Sequence, residues 1–504
     1  MQFKRSILIT LFVIISIFAL AGCQKNVVDE EEKVIEKTPE EIRLEEESNA
    51  RLSERIAMEG RRILLEVERL KEKAIREKTY YIGSKNATVY DSFGPEKSSL
   101  RELVKADSVL VEENNLVDEA GKAYAKIADA SVESGYSYVL AKNLIKDKTD
   151  LIYKKYDGAV YTAVEKDIDF PNNPRIVNRG IYISSHTAKS SKNMTRLKDF
   201  CKRNGLNTLV IDVKDDNGNI LFYSEAADKY CPAGNGKSQI KDIEKYVQEL
   251  KDEGFYLIAR VVTFKSPKYS KKHPEKSILN KNTGGLYSDG DRITWGTPYD
   301  RELWQYNLDV ALEAAKVGFN EVQFDYVRFP DIPRGVAVDF RNEQDETKAA
   351  VIQKFLIEAR RILNEQEVYV SADIFGWSAT ALSDVGIGQH WEALSNVVDV
   401  VSPMIYPSHY GRGNFGFSVP DANPYGTING AIKDSLRRDK HIYTPADNRP
   451  WIQDFTAKWV KGYIVYGEAE MIAQVKALKD NGIEEFLLWN SANRYTEVNY
   501  SEIK

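Results

Sequence analysis

From residue 180 onward, short apolar runs that favour β-strands alternate with segments that favour helices. Three of these segments, residues 194–205, 300–318 and 469–482, carry apolar residues at helical spacing and end at a glycine, a common helix stop signal. The predicted strands are residues 180–185, 208–214, 255–264, 321–327, 368–375, 398–406, 441–446 and 484–490. This alternation predicts an α/β fold, a (β/α)8 TIM barrel over residues 178–498. A doubly wound sheet is the alternative, but no glycine-rich phosphate loop follows the first strand.

The N-terminus has the pattern of an export signal. Lys4 and Arg5 precede an apolar run over residues 7–21, which predicts a signal peptide at residues 1–22. The sequence LAGC that ends at Cys23 resembles the lipobox of bacterial lipoproteins. This resemblance implies cleavage before Cys23 and a lipid on that cysteine, which would anchor the protein to the outer face of a membrane without spanning it. A plain signal peptide and an uncleaved anchor helix are the alternatives.

The composition changes twice between the signal and the predicted barrel. Residues 23–78 are rich in charged side chains, and their apolar residues recur at helical spacings, which predicts a charged helical spacer, with a short coiled coil as the alternative. Residues 79–150 contain short β-like runs between polar turns, which predicts a small all-β barrel. The order of these runs and the closing SGYSYVLAKNLI resemble bacterial SH3-like domains. That resemblance implies a module that binds cell-wall material, with a structural role as the alternative.

The charge of the chain excludes one class of partner. The 504 residues include 70 Lys and Arg and 76 Asp and Glu, and the formal net charge is -6. Because no basic excess is available to neutralise phosphates, we expect no nucleic-acid partner. A neutral ligand such as a sugar is compatible with this charge.

Polar residues that end the predicted strands are the candidates for an active site, because active sites of such barrels lie at the C-terminal ends of the strands. In FNEVQFDYVRFP, strand alternation places Gln323 and Asp325 on one face and Val322 and Phe324 on the other. The apolar face should pack on the helices, so Asp325 is predicted to point into the barrel. The same rule predicts that Asp373 points inward from the next strand.

Two inward carboxylates on neighbouring strands suit the hydrolysis of a glycosidic bond. Parallel strands lie about 4.8 Å apart, so Asp325 and Asp373 are expected roughly 5–7 Å apart. Retaining glycosidases use a separation of about 5–5.5 Å, with one carboxylate as nucleophile and the other as acid/base. Mutual repulsion raises the pKa of one acid and keeps it protonated. We therefore predict Asp325 as nucleophile and Asp373 as acid/base. The alternatives are a salt bridge from Asp325 to Arg328 or Lys214, and an orienting or sugar-binding role for Asp373.

Further side chains near the strand ends are predicted to bind substrate: Asp212, Lys214, Arg260, Gln323, Arg328, Trp377, Tyr406, His409, Trp489 and Asn490. Flat apolar rings with one polar atom suit the faces of sugars, and all seven tryptophans lie beyond residue 290. Those at or after strand ends are Trp295, Trp377, Trp451 and Trp489. Those in helix patterns are Trp304, Trp391 and Trp459, and we predict that these three lie in the core.

Rival chemistries have weaker support in the sequence. The five histidines form no close ligand pair, and although Asp212 and Asp215 could hold a hard cation, loop acids of this kind are common. We therefore expect no metal and no other cofactor. A Ser-His-Asp hydrolase would need a nucleophile-elbow motif that this sequence lacks. Cys201 and Cys231 are predicted to be two unpaired buried thiols, with a disulfide as the alternative because an exported compartment permits one.

Five motifs occur in order in the C-terminal region: FNEVQFDYVRFP, SADIFGW, VDVVSPMIYPSHYG, RPWIQDF and LLWNSAN. Together they resemble a bacterial family named "putative glycosyl hydrolase domain", which is related to the α-amylase-like (β/α)8 hydrolases. The resemblance covers about residues 178–498. It implies that Asp325 takes the place of the nucleophile at the end of strand four. The α-amylase-like enzymes usually place a glutamate acid/base on strand five, where this sequence offers Asp373.

These features predict a surface-anchored glycoside hydrolase that acts on a polysaccharide or a cell-envelope glycan by a retaining mechanism. The alternative is a catalytically inactive lipoprotein that binds carbohydrate or cell wall. Asp325 distinguishes the two, because only an enzyme needs its carboxylate for turnover.

Overall fold

The computed structural model describes residues 38–166, 169–237 and 239–503. The predicted signal peptide and Cys23 lie outside these residues. The chain divides into two compact units, one up to Glu77 and one from Lys78 onward. Helix α1, Pro39–Lys78, contains nearly all described residues of the first unit and ends at the first residue of the second. The predicted helix is therefore present, while its role as a spacer stays a prediction.

No helix within the described residues combines the length and the apolar character that crossing a membrane requires.

The second unit begins with a seven-stranded antiparallel sheet in the order β3-β2-β6-β5-β4-β1-β7. Its strands are β1 Thr79–Ile82, β2 Asn86–Tyr90, β3 Ser99–Val104, β4 Ser108–Val117, β5 Ala123–Ala128, β6 Tyr136–Leu140 and β7 Leu144–Ile145. Alternate residues such as Val89, Ile127 and Val139 fill a small apolar core. The predicted strands are present here, while a separate SH3-like domain with bounds 79–150 stays a prediction.

A closed barrel of parallel strands follows, and its eight staves run in chain order around the ring. The strands of this region are β8 Arg179–Ile183, β9 Thr208–Lys214, β10 Tyr256–Val262, β11 Leu279–Asn280, β12 Glu321–Asp325, β13 Val338–Asp339, β14 Tyr369–Phe375, β15 Val400–Met404, β16 Asp447–Asn448, β17 Trp451–Gln453 and β18 Phe486–Trp489. β16 and β17 together form the seventh stave, and β11 pairs with β13 outside the barrel. The predicted (β/α)8 fold is confirmed.

Helices separate the staves. They are α2 Ser185–Ala188, α3 Ser191–Arg203, α4 Glu225–Tyr230, α5 Ile243–Asp252, α6 Pro267–Lys272, α7 Arg301–Lys316, α8 Lys348–Asn364, α9 Gly376–Thr380, α10 Trp391–Ser395, α11 Pro424–Asp439 and α12 Glu468–Lys479. Gly205, Gly318 and Gly482, which end the three predicted helix patterns, all have the positive φ that favours glycine at a helix stop. The glycine signals therefore marked real helix ends.

The seventh stave lies later in the chain than predicted. Residues 441–446 were expected to be a strand, but the chain turns there directly after α11, and Pro445 has no N–H to donate to a sheet. The stave instead consists of β16 and β17, which Pro450 separates for the same reason. The predicted strand at residues 441–446 is therefore wrong, because the seventh stave begins at Asp447.

Two apolar layers fix the direction of the side chains. The outer faces of the staves pack on the helices in one large core, to which Val322 and Phe324 of β12 belong. The inner faces form a separate cluster inside the barrel, which includes Tyr182, Tyr406 and Trp451. This arrangement confirms the strand alternation that was predicted for β12.

Candidate active site

Asp325 and Asp373 lie side by side where two neighbouring staves end. Phe324 of β12 pairs with Ala372 of β14. Asp325 and Asp373 directly follow these two residues, so they lie at the same level along the barrel axis. Both carboxyl groups are buried. The negative charge of Asp325 acts on Asp373, which requires the two groups to be close. The structure thus brings together the two acids that the sequence singled out.

Arg260, in the middle of β10, holds the carboxylate of Asp325. Its Nε and Nη2 both donate to Oδ2 of Asp325, at 2.9 and 2.6 Å, and its Nη1 donates to Oδ1 of Asp212 at 2.5 Å. The other oxygen of Asp325 accepts the backbone N–H of Tyr326 at 2.6 Å. The suggestion that Arg328 or Lys214 forms the salt bridge to Asp325 is therefore wrong, because Arg260 occupies that place.

Asp373 differs from Asp325 in its electrostatic surroundings. Burial, followed by the charge of Asp325, raises the pKa of Asp373 well above its usual range. Oδ1 of Asp373 accepts a hydrogen bond from Nε1 of Trp451 at 2.6 Å. The guanidinium of Arg260 instead stabilises the negative charge of Asp325 through two charge-assisted hydrogen bonds. The site therefore sets a carboxyl group bonded to a guanidinium beside a carboxyl group whose pKa is raised.

Asp212 and Tyr182 extend this network on the other side of Arg260. The hydroxyl of Tyr182 donates to Oδ2 of Asp212 at 2.6 Å. Burial raises the pKa of Asp212 to about 6, although the charge of Arg260 opposes this shift. Asp216 lies 3.5 Å from Nη2 of Arg260 and is about one third exposed. Arg260 thus faces three carboxyl groups besides Asp373.

Aromatic rings line the inner wall next to the acids. The ring of Trp489 lies 4.3 Å from that of Tyr182 between centroids, and the guanidinium of Arg260 lies 5.7 Å from the Trp489 ring. The hydroxyl of Tyr406 is buried and has no hydrogen-bond partner among the described residues. Burial, followed by the charges of Asp373 and Asp325, raises the pKa of Tyr406 well above its usual range. Tyr406 can therefore donate a hydrogen bond near the two acids.

Arg328 lies beyond Asp325 in an aromatic cage. Its guanidinium lies 4.9 Å from the ring centroid of Trp295, 5.1 Å from that of Tyr326 and 4.3 Å from that of Phe375. Burial lowers the pKa of Arg328. Within residues 38–166, 169–237 and 239–503, no carboxylate lies close enough to pair with it, and its only hydrogen bond goes to the carbonyl of Phe329. Among the described residues, Arg328 is therefore a buried guanidinium without an ion pair.

Tyr326 connects this cage to the acids. It directly follows Asp325 and has a φ of 49°, a left-handed conformation that is uncommon for a bulky residue. Lys265 donates to its hydroxyl at 3.3 Å and lies 3.7 Å from carboxylates of Asp289 and Asp291. The turn after β12 is thus backbone-strained next to the candidate nucleophile, as is common at functional sites.

Several residues predicted to bind substrate have other contacts. Lys214 is fully buried on the helix side of the sheet, where Nζ donates to Oδ1 of Asn307 at 2.7 Å. A β-bulge explains this, because Arg260 pairs with Asp212 while Val261 pairs with Lys214, which reverses the direction of the lysine. The prediction that Lys214 binds substrate is not supported by this placement.

Gln323 and Asn490 also form hydrogen bonds within the protein. Gln323 lies one layer deeper in the barrel and donates to Oγ of Ser402 at 3.0 Å. The side chain of Asn490 holds its own loop through the carbonyl of Asp454 and the N–H of Ala492. Their predicted role as substrate ligands is likewise not supported by these contacts.

His409 and Trp377 occupy the rim. The ring of His409 lies 5.3 Å from that of Tyr406 between centroids, and its Nδ1 lies 3.0 Å from Oγ of Ser408. Burial lowers the pKa of His409, which favours the neutral ring. Trp377 is exposed on α9, directly after the end of β14. Both remain in reach of a ligand that extends beyond the acids.

One of the three tryptophans that were predicted to lie in the core is exposed. Trp304 and Trp391 are buried, as predicted, whereas Trp459 is exposed on a loop rather than in the core. Trp295 and Trp451 are buried under the site, where their indole N–H groups donate to Asp289 and Asp373. Cys201 and Cys231 are unpaired and buried, as predicted.

Sequence reasoning missed two residues of the site, Asp216 and Tyr182, and the hydrogen-bonding role of Trp451. Tyr182 lies at an inward position of the first stave, so strand alternation alone could have marked it. Asp216 follows the bulge of β9, and no pattern in the sequence indicates that bulge. The bond from Trp451 to Asp373 joins residues that are 78 positions apart.

With this geometry described, comparison with known proteins identifies the family. Residues 180–495 match the family described as "Putative glycosyl hydrolase domain". The chain belongs to this family. The match to the putative glycosyl hydrolase domain includes every stave of the barrel except the first residue of β8, and it includes both Asp325 and Asp373. No curated protein matches the chain significantly.

Solved structures are also similar to this putative glycosyl hydrolase domain. A hypothetical protein from Ruminiclostridium thermocellum ATCC 27405 is 31% identical over 38% of this chain and 97% of its own, with a TM-score of 0.34. The PgaB (BpsB) glycoside hydrolase domain from Bordetella bronchiseptica is 13% identical over 63% of this chain and 95% of its own, with a TM-score of 0.45. The α-galactosidase TtGalA from Thermus thermophilus is 11% identical over 78% of this chain and 74% of its own, with a TM-score of 0.41.

Proposed function

We propose that the protein is a glycoside hydrolase that cleaves glycosidic bonds of a polysaccharide or cell-envelope glycan with retention of configuration. One observation carries this proposal. A carboxylate held by Arg260 lies next to a carboxyl group whose pKa is raised by burial and by that same carboxylate. Pairs of neighbouring acids in different electrostatic surroundings are typical of glycosidases.

In the proposed mechanism, Asp325 attacks the anomeric carbon while Asp373 gives its proton to the departing glycosidic oxygen. The sugar is then bound to Asp325 as an ester, and the leaving alcohol takes the proton of Asp373. In the second step Asp373 accepts a proton from water as the water oxygen attacks the same carbon, which releases Asp325 as a carboxylate. The reaction consumes one water and leaves both acids as they began.

Neighbouring groups support each role. Arg260 stabilises the negative charge of Asp325 through two hydrogen bonds, and Trp451 fixes the orientation of Asp373 through its indole N–H. Tyr406 offers an unused hydroxyl near both acids, and Arg328 offers polar atoms on the far side of Tyr326. Together these groups would orient the sugar, while Trp489 would contact its apolar face.

A second candidate function is a catalytically inactive carbohydrate-binding protein. The observation in its favour is that both oxygens of Asp325 already accept hydrogen bonds, from Arg260 and from the Tyr326 backbone. A purely structural carboxylate would show the same contacts. The raised pKa of Asp373 favours the enzyme, because a buried acid adds nothing to the structure that a neutral amide could not supply.

The proposed location is the cell envelope. The lipobox-like sequence before Cys23 supports an exported lipoprotein held at the outer face of a membrane by lipid on that cysteine. A protein anchored there would meet envelope glycans and external polysaccharides.

A panel of polysaccharides and peptidoglycan tests the activity, with reducing ends measured after incubation with the full-length protein. We expect one glycan class to be cleaved. The Asp325→Asn variant should lose about three orders of magnitude or more in kcat, whereas Asp199→Asn, at an exposed carboxylate on α3, should match the parent. Undiminished product release by Asp325→Asn would refute the mechanism, and retained glycan binding without turnover by the parent would favour the inactive protein.

A further inference from the structure

Trp459 is a large aromatic side chain on the surface of the barrel region. It lies six residues after the end of β17 and is 70% exposed, although tryptophan is normally well buried. Because it follows the C-terminal end of a stave, it lies on the same end of the barrel as Asp325 and Asp373. The site described above does not use this ring.

The loop that carries Trp459 is well ordered by its own contacts. Oγ1 of Thr456 accepts the backbone N–H of Tyr466 at 3.1 Å, and the hydroxyl of Tyr466 donates to the carbonyl of Asp421 at 2.9 Å. Ala457 is buried, and turn hydrogen bonds join Lys458 to Thr456 and Val460 to Ala457. The indole is thus held at the surface by a closed loop, which lowers the entropy cost of binding to it.

A continuous path of rings connects Trp459 to the two acids. Trp459 stacks on Phe455 at 6.0 Å with an interplanar angle of 21°. Phe455 contacts Tyr406 edge to face at 5.9 Å, and Tyr406 stacks on Trp489 at 6.5 Å. Trp489 in turn lies against Arg260, which holds Asp325. Phe455 covers one side of Trp459 and leaves ring surface open to solvent.

We propose that Phe455 and Trp459 form an outer aromatic subsite that binds a sugar unit of a glycan chain while another unit lies at Asp325 and Asp373. This inference rests on the proposed function, and it specifies the substrate as a chain of several sugars rather than a short glycoside. Aromatic rings suit this role because the C–H faces of sugars pack on them while the hydroxyls stay in water.

The ring path favours a glycan over other occupants. A protein partner would use a broad patch, whereas Trp459 ends a single line of rings that begins beside the catalytic acids. The neighbouring charged residues Lys458 and Lys461 are exposed and free to point into water. His409, which also contacts Phe455, has a pKa lowered by burial and adds no positive charge at neutral pH. The outer rings of Trp459 and Phe455 therefore offer an apolar, uncharged surface on which the C–H face of a sugar can pack.

Binding without turnover provides the test. In full-length Asp325→Asn protein, affinities are measured by calorimetry for malto-, cello-, chito- and galacto-oligosaccharides from dimer to hexamer. We expect affinity to rise with chain length for one series. Adding Trp459→Ala should weaken binding of the hexamer by about 3- to 10-fold and leave the dimer unchanged, and Trp459→Phe should restore part of the loss. Val465→Ala is the matched control, because Val465 is equally exposed on the same loop but lies outside the ring path.

A kinetic measurement on the parent enzyme complements the binding test. Trp459→Ala should lower the ratio of kcat/KM for the hexamer to kcat/KM for the dimer by a similar factor, mainly through KM. Equal effects on dimer and hexamer, or no effect on either, would overturn the subsite. A change of oligomeric state in Trp459→Ala with unchanged glycan binding would assign the ring to a protein contact instead. Length-dependent binding through Trp459 in a protein without hydrolytic activity would overturn the proposed function and keep the subsite.

Discussion

At the scale of single residues, Arg260 gives Asp325 and Asp373 different electrostatic surroundings and so different proposed roles. Its guanidinium bonds Asp325 twice and Asp212 once, so the charge of Asp325 is stabilised before any substrate arrives. Asp373 has no such partner, and its indole donor Trp451 is neutral. Two chemically identical carboxyl groups therefore differ electrostatically, because one is bonded to a guanidinium and the other has a pKa raised by burial and by its neighbour.

Asp373 should control the alkaline side of the pH profile. Its pKa is raised by burial and by Asp325, and a general acid is active only while protonated, so kcat should fall as pH rises through that raised pKa. Asp373→Asn should lose about 10²- to 10⁴-fold in kcat on natural glycans and lose the alkaline limb. The loss should be far smaller for aryl glycosides with good leaving groups, which need no proton.

The pH profile is measured with the parent and with Asp373→Asn on both classes of substrate. An alkaline limb that persists unchanged in Asp373→Asn would show that another group is the acid.

At the scale of elements, strand alternation succeeded where strands are regular and failed where one is not. On β12, alternation from Val322 to Asp325 predicted which side chains face inward, because no irregularity interrupts that strand. On β9, the same rule would keep Lys214 inside with Asp212, but the bulge before Lys214 turns it outward. A bulge depends on the pairing with β10, and nothing within TLVIDVK indicates it.

Lys214 should lower the free energy of unfolding by a measurable amount. Burial lowers its pKa to about 7, so the unfolded chain binds a proton that the folded protein does not bind between pH 7 and the ordinary lysine pKa of 10.5. The free energy of unfolding therefore falls as pH drops from 10.5 toward 7, by about 3 to 5 kcal/mol from this group. Lys214→Met removes this dependence, so it should stabilise the protein relative to the parent more at pH 7 than at pH 10.

Denaturant unfolding at the two pH values measures this difference. Lys268→Met serves as a control, because Lys268 bonds Asn219 and the Ala233 carbonyl in a partly exposed position. Equal stability differences at pH 7 and pH 10 for Lys214→Met would contradict a neutral buried lysine.

At the scale of the whole molecule, the sequence predicted the barrel better than the contacts inside it. Alternating strand and helix patterns and glycine stops are local, so the eight-stave fold and the two acids could be read from the chain. The partners of those acids are not local: Arg260 lies 65 residues before Asp325, and Trp451 lies 78 residues after Asp373. Only the closed ring of staves brings them together, and the exposed ring of Trp459 likewise depends on how its loop closes.

The second unit should lose stability in mild acid through His390. This ring is buried beside Glu392 and Tyr161, and burial lowers its pKa to about 4. In the unfolded chain His390 takes up a proton near pH 6.5, whereas in the folded protein it does so only near pH 4. The stabilisation present above pH 6.5 is therefore lost as pH falls toward 4. The group accounts for up to about 3 kcal/mol.

The free energy of unfolding should therefore decrease less between pH 7 and pH 4.5 for His390→Gln than for the parent. His186→Gln, at an exposed histidine, should follow the parent. A parent stability that does not change between these pH values would contradict the buried neutral histidine.

The proposed lipid anchor is also a property of the whole molecule. Cys23→Ser should prevent lipid attachment, because only the thiol of that position can carry the lipid in the lipobox-like sequence. Cells given radiolabelled palmitate should label the parent and not the variant, and the Cys201→Ser control should label as the parent does. Incorporation of label into Cys23→Ser would contradict the proposed anchor.

The central claim is that Asp325 forms a covalent bond to the sugar with Asp373 as its acid/base partner. The most direct test incubates the protein with a 2-deoxy-2-fluoro glycosyl fluoride of the sugar that it hydrolyses, followed by peptide mass spectrometry. The account predicts one added fluoroglycosyl group on the peptide that contains Asp325, and none in Asp325→Asn. A label on a different residue, or continued hydrolysis with inverted configuration and no label, would contradict it.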